Sequence, residues 1–146
     1  MELSRIKSIA STLNKARPGL VVLGWGISLA SLATTAIFQA LVVPQGSPTD
    51  VMTLGRVLYY AGIFAVSFLA GFVLEDVGRA LVGFFASYGI GILLTYLALY
   101  LPALGGLLSE RLAEVTGITL TFIALFPFAL LVGLIGGLLG AVTSEP

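Results

Sequence analysis

The sequence has no cysteine and no histidine, and very little charge of either sign. Without cysteine there is no disulfide, no thiolate nucleophile and no iron–sulfur ligation. Without histidine there is no imidazole base and no haem or zinc imidazole ligand. Seven basic and seven acidic side chains give a formal net charge of +0, so no cationic field exists to hold a nucleic-acid backbone. Charged residues make up 10% of the 146, where a soluble domain carries about 25%. So few charges cannot wet the surface of a globule. With 58% hydrophobic residues and a mean hydropathy of +1.10, the chain reads as one all-α transmembrane domain over residues 1–146.

The charges are clustered, and the gaps between clusters locate the spans. No charge occurs between Arg17 and Asp50, Arg56 and Glu75, Arg79 and Glu110, or Glu114 and Glu145. Crossing a hydrocarbon core takes about 20 apolar residues in a helix. Each gap holds one such helix, which predicts spans near 20–43, 54–74, 80–101 and 117–142. The second begins before Arg56, whose guanidinium reaches the headgroups on its apolar stem. The first apolar run is too long for a cleaved signal and lacks a small-residue cleavage pattern, so it reads as a retained span. Arg5, Lys7, Lys15, Arg17 and Arg79 fall on one side and Arg56 and Arg111 on the other, which places both termini in the cytoplasm of a cell-membrane protein. The fold class is thus a four-helix bundle of two antiparallel hairpins.

Residues 2–17 show helical spacing of Leu3, Ile6, Ile9, Ala10 and Leu13 opposite Arg5, Ser8, Thr12 and Lys15, the pattern of an amphipathic interfacial helix. Pro18-Gly19 then ends that helix and turns the chain into the bilayer. The stretch from Pro44 to Asp50 carries two prolines and a glycine and reads as a loop. The short Glu75–Arg79 connection makes spans 2 and 3 antiparallel neighbours, with Glu75 and Arg79 an i,i+4 pair if the helix runs on. Leu104, Leu107, Leu108, Leu112 and Val115 follow a helical period that suggests a short interfacial helix between spans 3 and 4. Ala40-Leu41-Val42-Val43-Pro44 is echoed by Ala98-Leu99-Tyr100-Leu101-Pro102, a faint sign of two related hairpins.

Lipid gives apolar helices little reason to associate, so close backbone contact and interhelical hydrogen bonds must hold them. Small residues recur at every fourth position in span 3 (Gly83, Ser87, Gly91, Thr95) and span 4 (Ala129, Gly133, Gly137, Ala141). These are the predicted packing faces. Span 1 offers Gly26, Ala30 and Thr34, and span 2 offers Ser67 and Gly71. Span 4 carries a second small face at Gly136 and Gly140, which suggests contact with another subunit. Trp25, Tyr59, Tyr60, Tyr96 and Tyr100 suit an aromatic belt at the two interfaces. Pro127 removes a backbone hydrogen bond inside span 4 and should kink it, freeing a carbonyl near Ile123 for Thr119 or Thr121.

Chemistry is scarce. Activating a nucleophile needs a base in reach, and the only lysines are Lys7 and Lys15. No P-loop, nucleotide-binding glycine pattern or metal-ligand spacing occurs, and adjacent Glu75 and Asp76 point about 100° apart on a helix. No enzyme, cofactor or metal is expected. The polar residues left over are Gln39, Ser67, Glu75, Asp76 and Arg79, as a polar pathway or a partner contact. The best reading is a structural or accessory subunit that packs against itself or a larger membrane complex. The alternative is a homo-oligomeric channel or carrier for a small ion or solute, with Gln39, Ser67, Ser87 and Thr95 facing the pathway.

Overall fold

The structure, a computed structural model, describes the backbone of residues 2–42 and 54–144, with side chains from residue 17 onward within those ranges. The side-chain pattern expected of residues 2–16 and the loop expected from Pro44 to Asp50 lie outside the described residues. Among the described residues the chain is all-α, with five helices: α1 Glu2–Phe38, α2 Leu54–Leu74, α3 Val77–Leu104, α4 Glu110–Leu125 and α5 Phe128–Ser144. Arg17–Phe38, α2 and α3 are each long and apolar enough to cross a membrane, and α4 with α5 forms a fourth candidate span bent by 46°.

Several boundaries differ from the sequence reading, each for an identifiable reason. Pro18 does not end α1; the helix runs through it. A proline forfeits only its own ladder bond, and the long helix on both sides holds the geometry around that gap. The helix ends at Phe38 instead of residue 43, because Ala40 enters the left-handed region at φ 52°. The Ala40 N–H then bonds the Ile37 carbonyl at 3.0 Å and the Leu41 N–H bonds the Ala36 carbonyl at 2.9 Å, a Schellman closure. The leucines from 104 to 115 do not form a separate interfacial helix. α3 ends at Leu104, and α4 starts at Glu110 and runs on into the bundle.

The end of α3 repeats the closure of α1. Gly106, at φ 73°, bonds Ala103 at 2.9 Å, and Leu107 bonds Pro102 at 3.0 Å. The structural counterpart of Ala40 is therefore Gly106. The sequence echo at Ala98 falls inside α3 and does not align the two hairpins.

The order of helices around the bundle is also not that of the chain. α1 packs most closely on α3, and α2 on α5. Register shows that both pairs are parallel. A Cβ on Gly83 would meet Val22, and one on Gly91 would meet Leu29; likewise Gly136 lies on Phe64 and Gly140 on Phe68. α1 with α2 and α3 with α4 close the ring as antiparallel neighbours, which leaves α2 and α3 across a diagonal despite their two-residue connection. A short turn fixes direction but not adjacency. Glycine decides adjacency here, because the parallel pairs are where backbones can touch.

Along α5 residue size is sorted inside out. The buried residues of α5 are Ala129, Gly133, Gly136, Gly137, Gly140 and Ala141, while Phe128, Leu131, Ile135, Leu139 and Val142 face outward. A domain folding in water would bury the large side chains. α5 turns them to the exterior, where lipid can take the place of water. It is a small multi-pass membrane protein.

Candidate functional site

Four places combine polar chemistry with a defined position in the fold. The first lies at the middle of the bundle. The Trp25 indole N–H donates to the Ser67 hydroxyl at 3.1 Å, and both residues are fully enclosed. Trp25 sits against Phe84 with ring centroids 5.7 Å apart, and its outer edge lies over Gly137. The belt position expected of Trp25 is thereby corrected. Its ring needs a glycine-lined slot, and α5 supplies one.

The second place is the break between α4 and α5. Phe126 is extended, with φ −130° and ψ 151°, and precedes Pro127 through a cis peptide bond. Carbonyls at the end of α4 are left without helix partners. Tyr59 of α2 donates its hydroxyl to the Ala124 carbonyl at 2.8 Å, and Tyr88 of α3 donates to the Leu125 carbonyl. The threonines proposed for this task do otherwise. Thr119 bonds back to the Val115 carbonyl at 2.8 Å, and the buried Thr121 hydroxyl has no hydrogen-bond partner among the described residues. Threonine reaches only its own preceding turn, whereas tyrosine reaches across from another helix. Tyr59 accordingly is no belt residue but a core one, and Tyr60, Tyr96 and Tyr100 are half-buried. Tyr88 was not singled out from sequence. A tyrosine deep in an uncharged run needs a partner for its hydroxyl, and that was the available signal.

No family model, curated protein or solved structure matches this chain. The functional reading therefore rests on geometry alone.

The third place is the turn between α2 and α3. Glu75 adopts φ 58° and ends α2, so the helix does not run on and the expected Glu75–Arg79 pair does not form. Glu75 instead meets Arg17 of α1 at 3.8 Å, with both side chains more than half exposed. Such a pair adds little stability. Asp76 is the N-cap of α3 and accepts from the Arg79 backbone N–H at 2.7 Å. Two adjoining clefts, of about 540 and 640 Å³, open beside this turn and share Pro18, Leu74 and Arg79. Among the described residues no group of three or more acidic side chains is placed to hold a metal ion. Arg56, at the opposite end, donates to the Leu41 carbonyl just beyond α1 and is part-buried.

The fourth place is the outer face of α1. Gly24, Ser28, Ser31, Thr35 and Gln39 follow one another at helical spacing along it. Gly24 has open space where its Cβ would be, Gln39 is exposed beyond the helix end, and Ser28 is half-buried. The Ser28 and Ser31 hydroxyls bond back to Gly24 and Ile27 at 2.8 and 2.9 Å. A groove of about 300 Å³ separates this line from the start of α2 and is bordered by Ser31, Thr35, Gln39, Gly55 and Leu58.

The residues named as a polar pathway do not converge. Ser67 holds Trp25, Ser87 bonds Phe84 at 2.9 Å, Thr95 bonds Gly91 at 2.7 Å, and Gln39 is exposed beyond the end of α1. The span 3 ladder of Gly83, Ser87, Gly91 and Thr95 is buried. The second face of span 4 is not left for another subunit: Gly136 and Gly140 lie on the backbone of α2.

Proposed function

We propose that the protein is a non-catalytic accessory subunit that docks on a membrane partner, through the outer face of α1. The observation that carries this reading is the line of Gly24, Ser28, Ser31, Thr35 and Gln39. Elsewhere Leu, Phe, Ile and Val dominate the exterior and suit acyl chains, with exposed small residues such as Ala61, Ala65, Ala86 and Gly89 in short pieces between them. Small residues three or four positions apart let a second helix approach closely, and hydroxyls and an amide supply hydrogen bonds that strengthen the contact in lipid. The filled middle of the bundle, with Trp25, Phe84, Ile63 and Leu29 all enclosed, supports a packing role over a conducting one. The excess of Arg5, Lys7, Lys15, Arg17 and Arg79 over Arg56 and Arg111 supports both termini being cytoplasmic.

The test is purification from native membrane in mild detergent, with mass measured by light scattering. Wild type should carry a stoichiometric membrane protein, or a second copy of itself, that Ser31→Leu with Thr35→Leu releases. A monomer that carries nothing overturns the reading. Solute flux in liposomes would replace it with the channel alternative.

A further inference from the structure

At the end of the bundle where α2 turns into α3, the two adjoining clefts combine a charged mouth with an apolar trough. The trough runs along α1 and α3 between Gly19, Val22, Val82, Gly83 and Ala86, and its small residues make its walls concave. The mouth holds two guanidiniums and two carboxylates, from Arg17, Arg79, Glu75 and Asp76. Arg79 borders both clefts. Its backbone N–H engages Asp76, and among the described residues its guanidinium has no ion-pair partner, since Glu75 pairs with Arg17.

We propose that this cleft binds one zwitterionic phospholipid with a primary ammonium headgroup, its phosphate on the Arg79 guanidinium and one acyl chain in the trough. Charge complementarity selects the headgroup. A guanidinium matches a phosphate with paired N–H donors. Phosphatidylglycerol, whose only charge is that phosphate, would set a neutral glycerol beside Glu75 and Asp76 and bring no cation to them. An ammonium group in that place meets two carboxylates and brings N–H donors to them. The trough continues from the mouth along the helices, where an acyl chain hanging from the headgroup must run. This site is separate from the outer face of α1 and does not depend on the accessory role.

The experiment is native mass spectrometry of the intact protein with added phosphatidylethanolamine, phosphatidylcholine and phosphatidylglycerol of matched chains. One phosphatidylethanolamine should be retained, about fivefold more strongly than either of the others, the scale of a charge-assisted contact at a part-exposed site. Arg79→Gln should lower retention of all three lipids, because each carries the phosphate, and Glu75→Gln should remove the preference. Ala86→Leu, which fills the trough at an exposed position, should lower retention of all three lipids while the melting temperature stays unchanged. Equal retention of the three headgroups, a preference for phosphatidylglycerol, retention unchanged by Arg79→Gln, or a preference that survives Glu75→Gln would each overturn the proposal.

Discussion

The Trp25 indole and the Ser67 hydroxyl, from α1 and α2, meet at 3.1 Å in the closed centre of the bundle. Trp25 is the single tryptophan of the chain, so its fluorescence reports this contact alone. Emission should be blue-shifted and protected from aqueous quenchers. Ser67→Ala leaves a buried N–H unpaired and should cost about 1–2 kcal/mol in detergent unfolding. Ready quenching by an aqueous agent would return Trp25 to the interface.

Tyr59 and Tyr88 hold adjacent carbonyls of α4, those of Ala124 and Leu125. Phenylalanine at either position keeps the ring and removes the donor. Each change should lower stability by about 1–2 kcal/mol, and the two together should depart from additivity because they act on one turn. Unchanged unfolding midpoints in both single variants would mean that other groups satisfy the break.

Glycine substitutions should divide by location. A Cβ at Gly71 would fall on the Gly137 carbonyl, and one at Gly140 on the Phe68 carbonyl. Alanine at either position must push α2 and α5 apart, at a cost of about 1–3 kcal/mol. Gly24 and Gly89 have open space around that position. There Gly→Ala should be neutral or stabilising by up to about 1 kcal/mol. Unfolding curves of the four variants in one detergent would decide, and equal effects at all four sites would refute the proposed α2–α5 contact.

Ala40 occupies the left-handed C′ position of α1, where Gly106 stands at the end of α3. Ala40→Gly should therefore stabilise the protein by about 1 kcal/mol, by relieving the steric cost of a Cβ in that conformation. Gly106→Ala should do the opposite. Thermal unfolding of the pair checks both signs.

Much of the helical architecture can be read along the chain, because charge is excluded from lipid wherever a helix crosses it. Arg56, Glu75 and Arg79 bracket α2 and the start of α3 closely for that reason. The turns were harder to read. Pro18 and Pro127 are the same residue type, yet α1 continues and α4 stops. The difference at Pro127 is that Tyr59 and Tyr88, far away in sequence, take up the carbonyls the break leaves behind. Small residues were legible as packing faces in general, but which helix each face meets was not.

What the residue string determined was the solvent: an uncharged exterior in long apolar runs has one compatible surrounding. Which backbones touch, which aromatic rings are enclosed and where the last span breaks were decided only in three dimensions. The physical reason is that lipid contacts are nearly interchangeable. Partner choice is therefore left to shape, to glycine against carbonyl and tyrosine against broken helix, and these are relations between residues far apart in the chain.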